Sequence, residues 1–163
     1  MVNIPSTPKC VICVAPHTSN WDFILGELSV RSVGMKAGFL MKSTWFFWPM
    51  GCLMRAIGGI AVNQHEHTNV TETVVRAFNE NSQLAIAVTP EGTRSPNARW
   101  HKGFLHIARE AQVPVVLAYI DYGERVVCLD RLFTPTEDCD ADLEQVKEYY
   151  KAFTGRHPEK FAL

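Results

Sequence analysis

The chain has no surplus of either charge: 16 lysines and arginines stand against 17 aspartates and glutamates, a formal charge of −1. Without a basic excess there is no global pull on nucleic acid or on an anionic membrane. Its cationic residues are scattered and not interleaved with aromatics, which speaks against a nucleic-acid role. Long apolar runs are also missing. The most apolar region, Met35 to Val62, is interrupted by Lys36, Lys42 and Arg55 and broken by Pro49, so it falls short of a bilayer span. Met1 to Pro16 has neither a charged leader nor an apolar core ending in a cleavage site, and no secretory signal is read there. The five cysteines are odd in number and show no paired spacing, which favours a reduced compartment over a disulfide scaffold. Cys10-x-x-Cys13 lacks a second pair and lies within an apolar run, so it is assigned to core packing. No G-x-S-x-G turn, internal repeat or low-complexity segment occurs. A cytoplasmic protein is expected, soluble or peripheral at the inner face of the membrane.

What is present suffices for one core. At 163 residues and 47% apolar content, the chain fits a single domain over 1–163. Cys10 to Ala15 and Leu84 to Val88 read as buried strands; Ala37 to Met41, Ile60 to Val62, Val115 to Ile120 and Arg125 to Leu129 read as further ones. Between them lie helical patterns from Asn20 to about Ser32, from Thr68 or Asn69 to Asn79, from Gly103 to Ala111 and from Asp140 or Ala141 to about Phe153. A shorter one carries Leu53, Met54 and Ile57 and ends at Gly58-Gly59. In the first helix Trp21, Ile24, Leu25, Leu28 and Val33 recur at helical spacing, with Ser19 or Asn20 as N-cap. Asp121 to Glu124 forms a hairpin turn, with Gly123 available for positive φ. The expected fold is α/β: a mostly parallel sheet flanked by helices, with an antiparallel edge.

Two polar loops carry the chemistry. His17-Thr18-Ser19-Asn20-Trp21-Asp22 sits where the first strand passes into the first helix, placing an imidazole on the turn and a carboxylate in the opening helical turn. A carboxylate so placed can fix the tautomer of His17 and leave its other ring nitrogen free to accept a proton. Glu91-Gly92-Thr93-Arg94-Ser95 follows the Leu84 to Val88 strand. Loops at the carboxyl ends of parallel strands open on one crevice, so the two motifs are expected to share a site.

Together, His17-x-x-x-x-Asp22 and Glu91-Gly92-Thr93-Arg94 resemble the glycerolipid acyltransferase family typified by 1-acylglycerol-3-phosphate acyltransferases. Lys42, Pro49 and Gly51 are similar to the segment between that family's first two motifs. Trp100-His101-Lys102-Gly103-Phe104 resembles its lysine-glycine element, and Val113-Pro114-Val115-Val116 its fourth motif. The likeness runs from about Cys10 to Leu129. It departs at Gln64, which stands where the family's second motif usually ends in an arginine that helps hold an acceptor phosphate. A neutral amide does not replace a charge-assisted fork. Family members commonly carry a membrane-associated amino-terminal segment, which is not read here.

The resemblance implies acyl transfer from a thioester, acyl-CoA or acyl-carrier protein as co-substrate with no other cofactor, to a hydroxyl of a lysophospholipid or related acceptor. His17 is then the base and Asp22 its orienter. Glu91, Gly92, Thr93, Arg94, Lys102, Lys42 and Gln64 are candidate substrate contacts, with Arg94 the leading phosphate grip and the role of Glu91 open between positioning Arg94 and binding acceptor hydroxyls. Trp45, Phe46, Phe47 and Trp48 are too many consecutive aromatics to face one core, so some are exposed or line a groove, as a lipid-headgroup contact or under a lid or dimer partner. Two readings from other classes stay open: a lipid-binding module with a silent site, and a metal hydrolase using His17, Asp22, His65 or His67. The spacing of His65 and His67, read as loop residues, suits a metal poorly, and no metal is expected.

Overall fold

A computed structural model describes residues 7–35, 37–56, 58–62 and 67–163. Among them, one six-stranded sheet is built from β1 (Lys9–Val14), β2 (Ala37–Lys42), β3 (Gly59–Val62), β4 (Leu84–Val88), β5 (Val115–Asp121) and β6 (Val126–Phe133), in the spatial order β3-β2-β4-β1-β5-β6. The first five strands run parallel, and β6 pairs antiparallel with β5 as the edge. The helices are α1 (Asn20–Ser32), α2 (Met50–Ala56), α3 (His67–Glu80), α4 (Gly103–Glu110) and α5 (Cys139–Tyr150). The α/β architecture expected from the sequence is the one observed.

Strand alternation sorts the core into two layers. Val11, Cys13, Ile86, Val115 and Leu117 face one side, where Val74 and Phe78 of α3, Leu105 and Ala108 of α4, and Leu143, Val146 and Tyr150 of α5 close over them. Their neighbours Cys10, Ile12, Ala85, Val116 and Ala118 face the other side, where Val30 of α1 is the helical member of the cluster. Chain direction accounts for this split. The β1-to-β2 connection travels one way along the sheet, while β3-to-β4 and β4-to-β5 travel back, and right-handed crossovers then put α1 on one face and α3 and α4 on the other. Cys10 and Cys13 are both fully buried, and burial pushes each thiol up to about 12, so they remain inert core residues.

Several elements differ from their sequence reading. The apolar stripe of α1 does not face the core: Trp21, Ile24 and Leu28 are 51%, 43% and 60% exposed, whereas Asp22 and Val30 are its buried residues. The turn after β5 does not use Gly123 for positive φ. That conformation falls to Arg125, at φ 56°, while Asp121 Oδ1 organises the turn by accepting the N–H groups of Gly123 and Glu124 at 2.8 and 3.1 Å. Strand β6 runs on to Phe133, past an irregularity where Leu117 pairs with Arg131 and Ala118 with Leu129, so that Asp130 is bulged out and the apolar alternation that marks a strand is broken there. Asp138 caps α5, placing its start at Cys139, and the helix closes at Tyr150. His67, read as a loop residue, begins α3.

Tyr150 ties the site-bearing strands together. Its buried hydroxyl lies 2.6 Å from the Cys13 carbonyl of β1 and 3.0 Å from the Ala118 carbonyl of β5. Tyr150→Phe leaves both carbonyls without this donor and is expected to lower unfolding free energy by about 1–3 kcal/mol in urea titrations. An unchanged midpoint and slope would contradict that role.

Candidate active site

The site forms where neighbouring parallel strands end. Cys13 of β1 lies opposite Val88 of β4, so the turns that follow both strands leave the same edge of the sheet. His17 stands on the first of these turns. Ser19 caps α1, its hydroxyl accepting the Trp21 N–H at 3.2 Å, and Asp22 at the third helical position reaches back to the cap. Asp22 Oδ2 accepts the N–H groups of Thr18 and Ser19, both at 2.8 Å, and Oδ1 accepts the Tyr122 hydroxyl at 2.7 Å. The His17 Nδ1 to Asp22 Oδ2 separation is 3.3 Å. The approach is close but short of an aligned hydrogen bond. Buried Nδ1 has no other partner among the described residues. Catalytic pairs are often loose in this way before substrate binds.

Two carboxylates flank the histidine, and their surroundings drive them apart. Burial alone would raise the Asp22 carboxyl, but His17, Tyr122 and the two backbone donors outweigh it and hold Asp22 below its ordinary range. Glu91 has fewer donors. Its Oε1 and Oε2 accept only the His17 N–H among the hydrogen bonds of the described residues, at 2.9 and 3.2 Å, and burial pushes this carboxyl from 4.5 up to about 7. Glu91 therefore holds the backbone of the first motif from the second, a contact the sequence reading did not include. Gly92 is at φ +67°, a conformation that favours glycine, and a β-carbon there would come within 2.6 Å of the exposed His101 ring, which would have to swing aside. Thr93 Oγ1 accepts the Ser95 N–H, and Asn97 Nδ2 donates to the Glu91 carbonyl at 2.8 Å, closing the loop on itself.

Two cavities meet at His17. One, of about 490 Å³, runs between α1 and the sheet and is lined mainly by apolar groups, among them Ile12, Val14, Phe39, Ala87, Ala118 and Leu129. The other, of about 370 Å³, is lined by His17, Thr89, Gly92, Thr93, Arg94 and Ser95. His17, Thr89 and Gly92 belong to both. The Lys102 ammonium lies 2.7 Å from Asp140 at the start of α5, and it lines neither cavity. Lys42 ends β2 on the carboxyl edge. Gln64 and His65 lie outside the described residues. Trp45, Phe47 and Trp48 are exposed, whereas Phe46 is half-buried beneath the Arg55 guanidinium, 5.5 Å from its ring centroid. Among the described residues no group of three His, Cys, Asp or Glu side chains is placed to hold a metal ion, and no helix is long and apolar enough to cross a membrane.

Tyr122 is the site residue that sequence reasoning missed. A signal existed: β5 runs parallel to β1, pairing Ala118 with Val14, so the turn after β5 must open on the same edge as His17.

The fold and the site define a class, a mixed α/β acyltransferase-type domain whose histidine–aspartate pair and arginine loop sit at the ends of adjacent parallel strands. The family model described as Acyltransferase, that of the glycerolipid acyltransferases, matches residues 2–121, and the chain belongs to this family. Comparisons with curated proteins and with solved structures return no match.

The raised Glu91 carboxyl has a consequence for stability. Between about pH 4.5 and 7 the folded chain holds a proton on Glu91 that the unfolded chain has released, so this group stabilises the fold at the low end and loses that contribution as pH rises through about 7. Glu91→Gln cannot titrate. Unfolding free energies measured across this window should show the variant gaining on the wild type as pH increases; a constant difference would contradict the assignment.

Proposed function

We propose that the chain moves a fatty acyl group from a thioester of coenzyme A or of acyl-carrier protein to a hydroxyl of a lysophospholipid or related acceptor. The observation that carries this reading is the place of His17 on the wall shared by an apolar and a polar cavity. The apolar space suits an acyl chain, and its volume falls in the roughly 300–1,000 Å³ range of ligand pockets. Arg94 in the polar space suits a phosphate of donor or acceptor, with Gly92 letting the ligand come close to the backbone. Lys42 and Gln64 are proposed acceptor contacts, and Thr93 a turn residue of the same loop.

The reaction runs by direct attack. His17 Nε2 takes the acceptor hydroxyl proton as the oxygen bonds to the thioester carbonyl carbon. The tetrahedral intermediate collapses by breaking the carbon–sulfur bond, and the imidazolium returns the proton to the leaving thiolate. Asp22, held ionised by its donors, balances the imidazolium while it exists. No acyl-enzyme forms, and no cofactor besides the co-substrate is required. The exposed Trp45, Phe47 and Trp48, the last 84% exposed, form the proposed peripheral contact with lipid headgroups at the inner face of the membrane.

Thiol release from acyl-CoA and acyl-carrier-protein donors, with product mass spectrometry over phosphorylated and unphosphorylated lyso-acceptors, tests the reading. His17→Ala is expected to lose at least about 100-fold in turnover, with Asp22→Asn also impaired. Wild-type turnover in folded His17→Ala would eliminate the mechanism. Phosphate-free acceptors should compete well if Gln64 stands in place of an arginine, and strict dependence on a glycerol phosphate would refute that part.

A further inference from the structure

We propose that Tyr122, backed by residues 154–157, is a positioning residue for the His17–Asp22 pair, so that chain beyond the family-matched residues completes the acid–base machinery. The inference rests on the acyl-transfer reading for its catalytic meaning, while its geometry is independent of substrate. The matched segment ends at residue 121, one residue before the tyrosine whose hydroxyl donates to Asp22 Oδ1 at 2.7 Å.

The asymmetry of the Asp22 carboxylate explains why that bond matters. Thr18, Ser19 and His17 all converge on Oδ2, and Oδ1 is bonded to Tyr122. A carboxylate anchored on one oxygen can still turn about its terminal bond, a broad and soft torsion. A donor on the second oxygen fixes the plane and therefore the direction in which Oδ2 meets the imidazole. Burial and the adjacent Asp22 push the Tyr122 hydroxyl up to about 12, which keeps it protonated and donating.

Tyr122 is itself held by the segment that follows α5. Its N–H donates to the Thr154 carbonyl at 2.9 Å. The His157 N–H donates to Oγ1 of buried Thr18 at 3.2 Å, within the His17–Asp22 turn. Gly155 lies between these contacts; a β-carbon there would come within 3.0 Å of the Thr18 side chain and 3.1 Å of that of Pro16. The Arg156 guanidinium sits over the Trp21 ring, 5.6 Å from its centroid, and interacts with the Tyr122 hydroxyl. The segment thus grips the turn from Pro16 to Trp21 and presents the tyrosine to the aspartate.

A purely structural tyrosine would support the turn without altering the charge seen by His17. A positioning tyrosine shares the Asp22 charge, so its removal concentrates that charge on the oxygen facing the imidazole and raises the ring's pKa. The charged and titratable groups that face the ring or its partner are Asp22 from α1, Glu91 and Arg94 from the loop after β4, Tyr122 on Asp22 from the β5 turn, and Arg156 on Tyr122 from the terminal segment. Tyr122→Phe alters one of them.

The experiment is NMR titration of the His17 ring in wild type, Tyr122→Phe and Arg156→Gln, with kcat and KM measured beside it and His17→Ala as the activity control. Tyr122→Phe is expected to titrate at higher pH, with kcat reduced roughly 10-fold or more and KM for both substrates unchanged. The acid limb of the rate profile should move the same way. Wild-type titration and wild-type kcat in Tyr122→Phe would overturn the proposal, provided His17→Ala is inactive. Were His17→Ala as active as wild type, acyl transfer by the dyad would fall, and the ring titration would still decide the positioning claim. If Tyr122→Phe does not fold, exposed Arg156→Gln, which removes a group that contacts the Tyr122 hydroxyl, is decisive: kcat must fall with KM for both substrates unchanged, and wild-type kinetics overturn the inference.

Discussion

The Asp22 carboxylate is the constraint on which the rest of this structure depends. It serves two masters, the helix cap and the imidazole, and both require it to face inward at the end of β1. That requirement fixes the rotation of α1. Gly26 and Val30, one and two turns on, then look toward the sheet, while Trp21, Ile24 and Leu28 are turned outward despite their hydrophobicity. The strands beneath answer with small residues, Ala37, Ala87 and Ala118, and the space they leave is the apolar cavity that ends at His17. One buried acid therefore sets the helix cap, the histidine and the chamber beside them.

Electrostatics divide labour between two acids close to the same histidine. Asp22 gathers several donors and stays ionised near the ring; Glu91, buried with the His17 N–H, is pushed toward neutrality at about 7. Identical functional groups thus take separate tasks through their surroundings alone, one balancing charge and the other tying two loops together. The tie spans 74 residues of sequence and a single strand spacing in space.

Much of the fold was legible because strands buried on both faces read as short apolar runs, and Leu84 to Val88 matched β4 residue for residue. The convergence of the two polar loops was legible too, since parallel strands oblige their carboxyl-end turns to share an edge. The rotation of α1 was not, because apolar spacing reports hydrophobicity and Asp22 overrides it. The contact Glu91 makes was hidden for a related reason: its partner is a backbone N–H, which leaves no mark on side-chain patterns. Tyr122 and the contacts of Gly155 and His157 arise from packing of the last segment on the first motif, a relation no local window contains. The pairing of Lys102 with Asp140 is likewise a contact between distant segments that no local pattern announces.

The most direct measurement is a crystal structure of the protein with a non-cleavable thioether analogue of an acyl-CoA. The account places the acyl chain between α1 and the sheet, the carbon equivalent to the thioester carbonyl beside His17, and a phosphate within reach of Arg94. A chain lying elsewhere on the surface, with the space beneath α1 filled by repacked side chains, would contradict it.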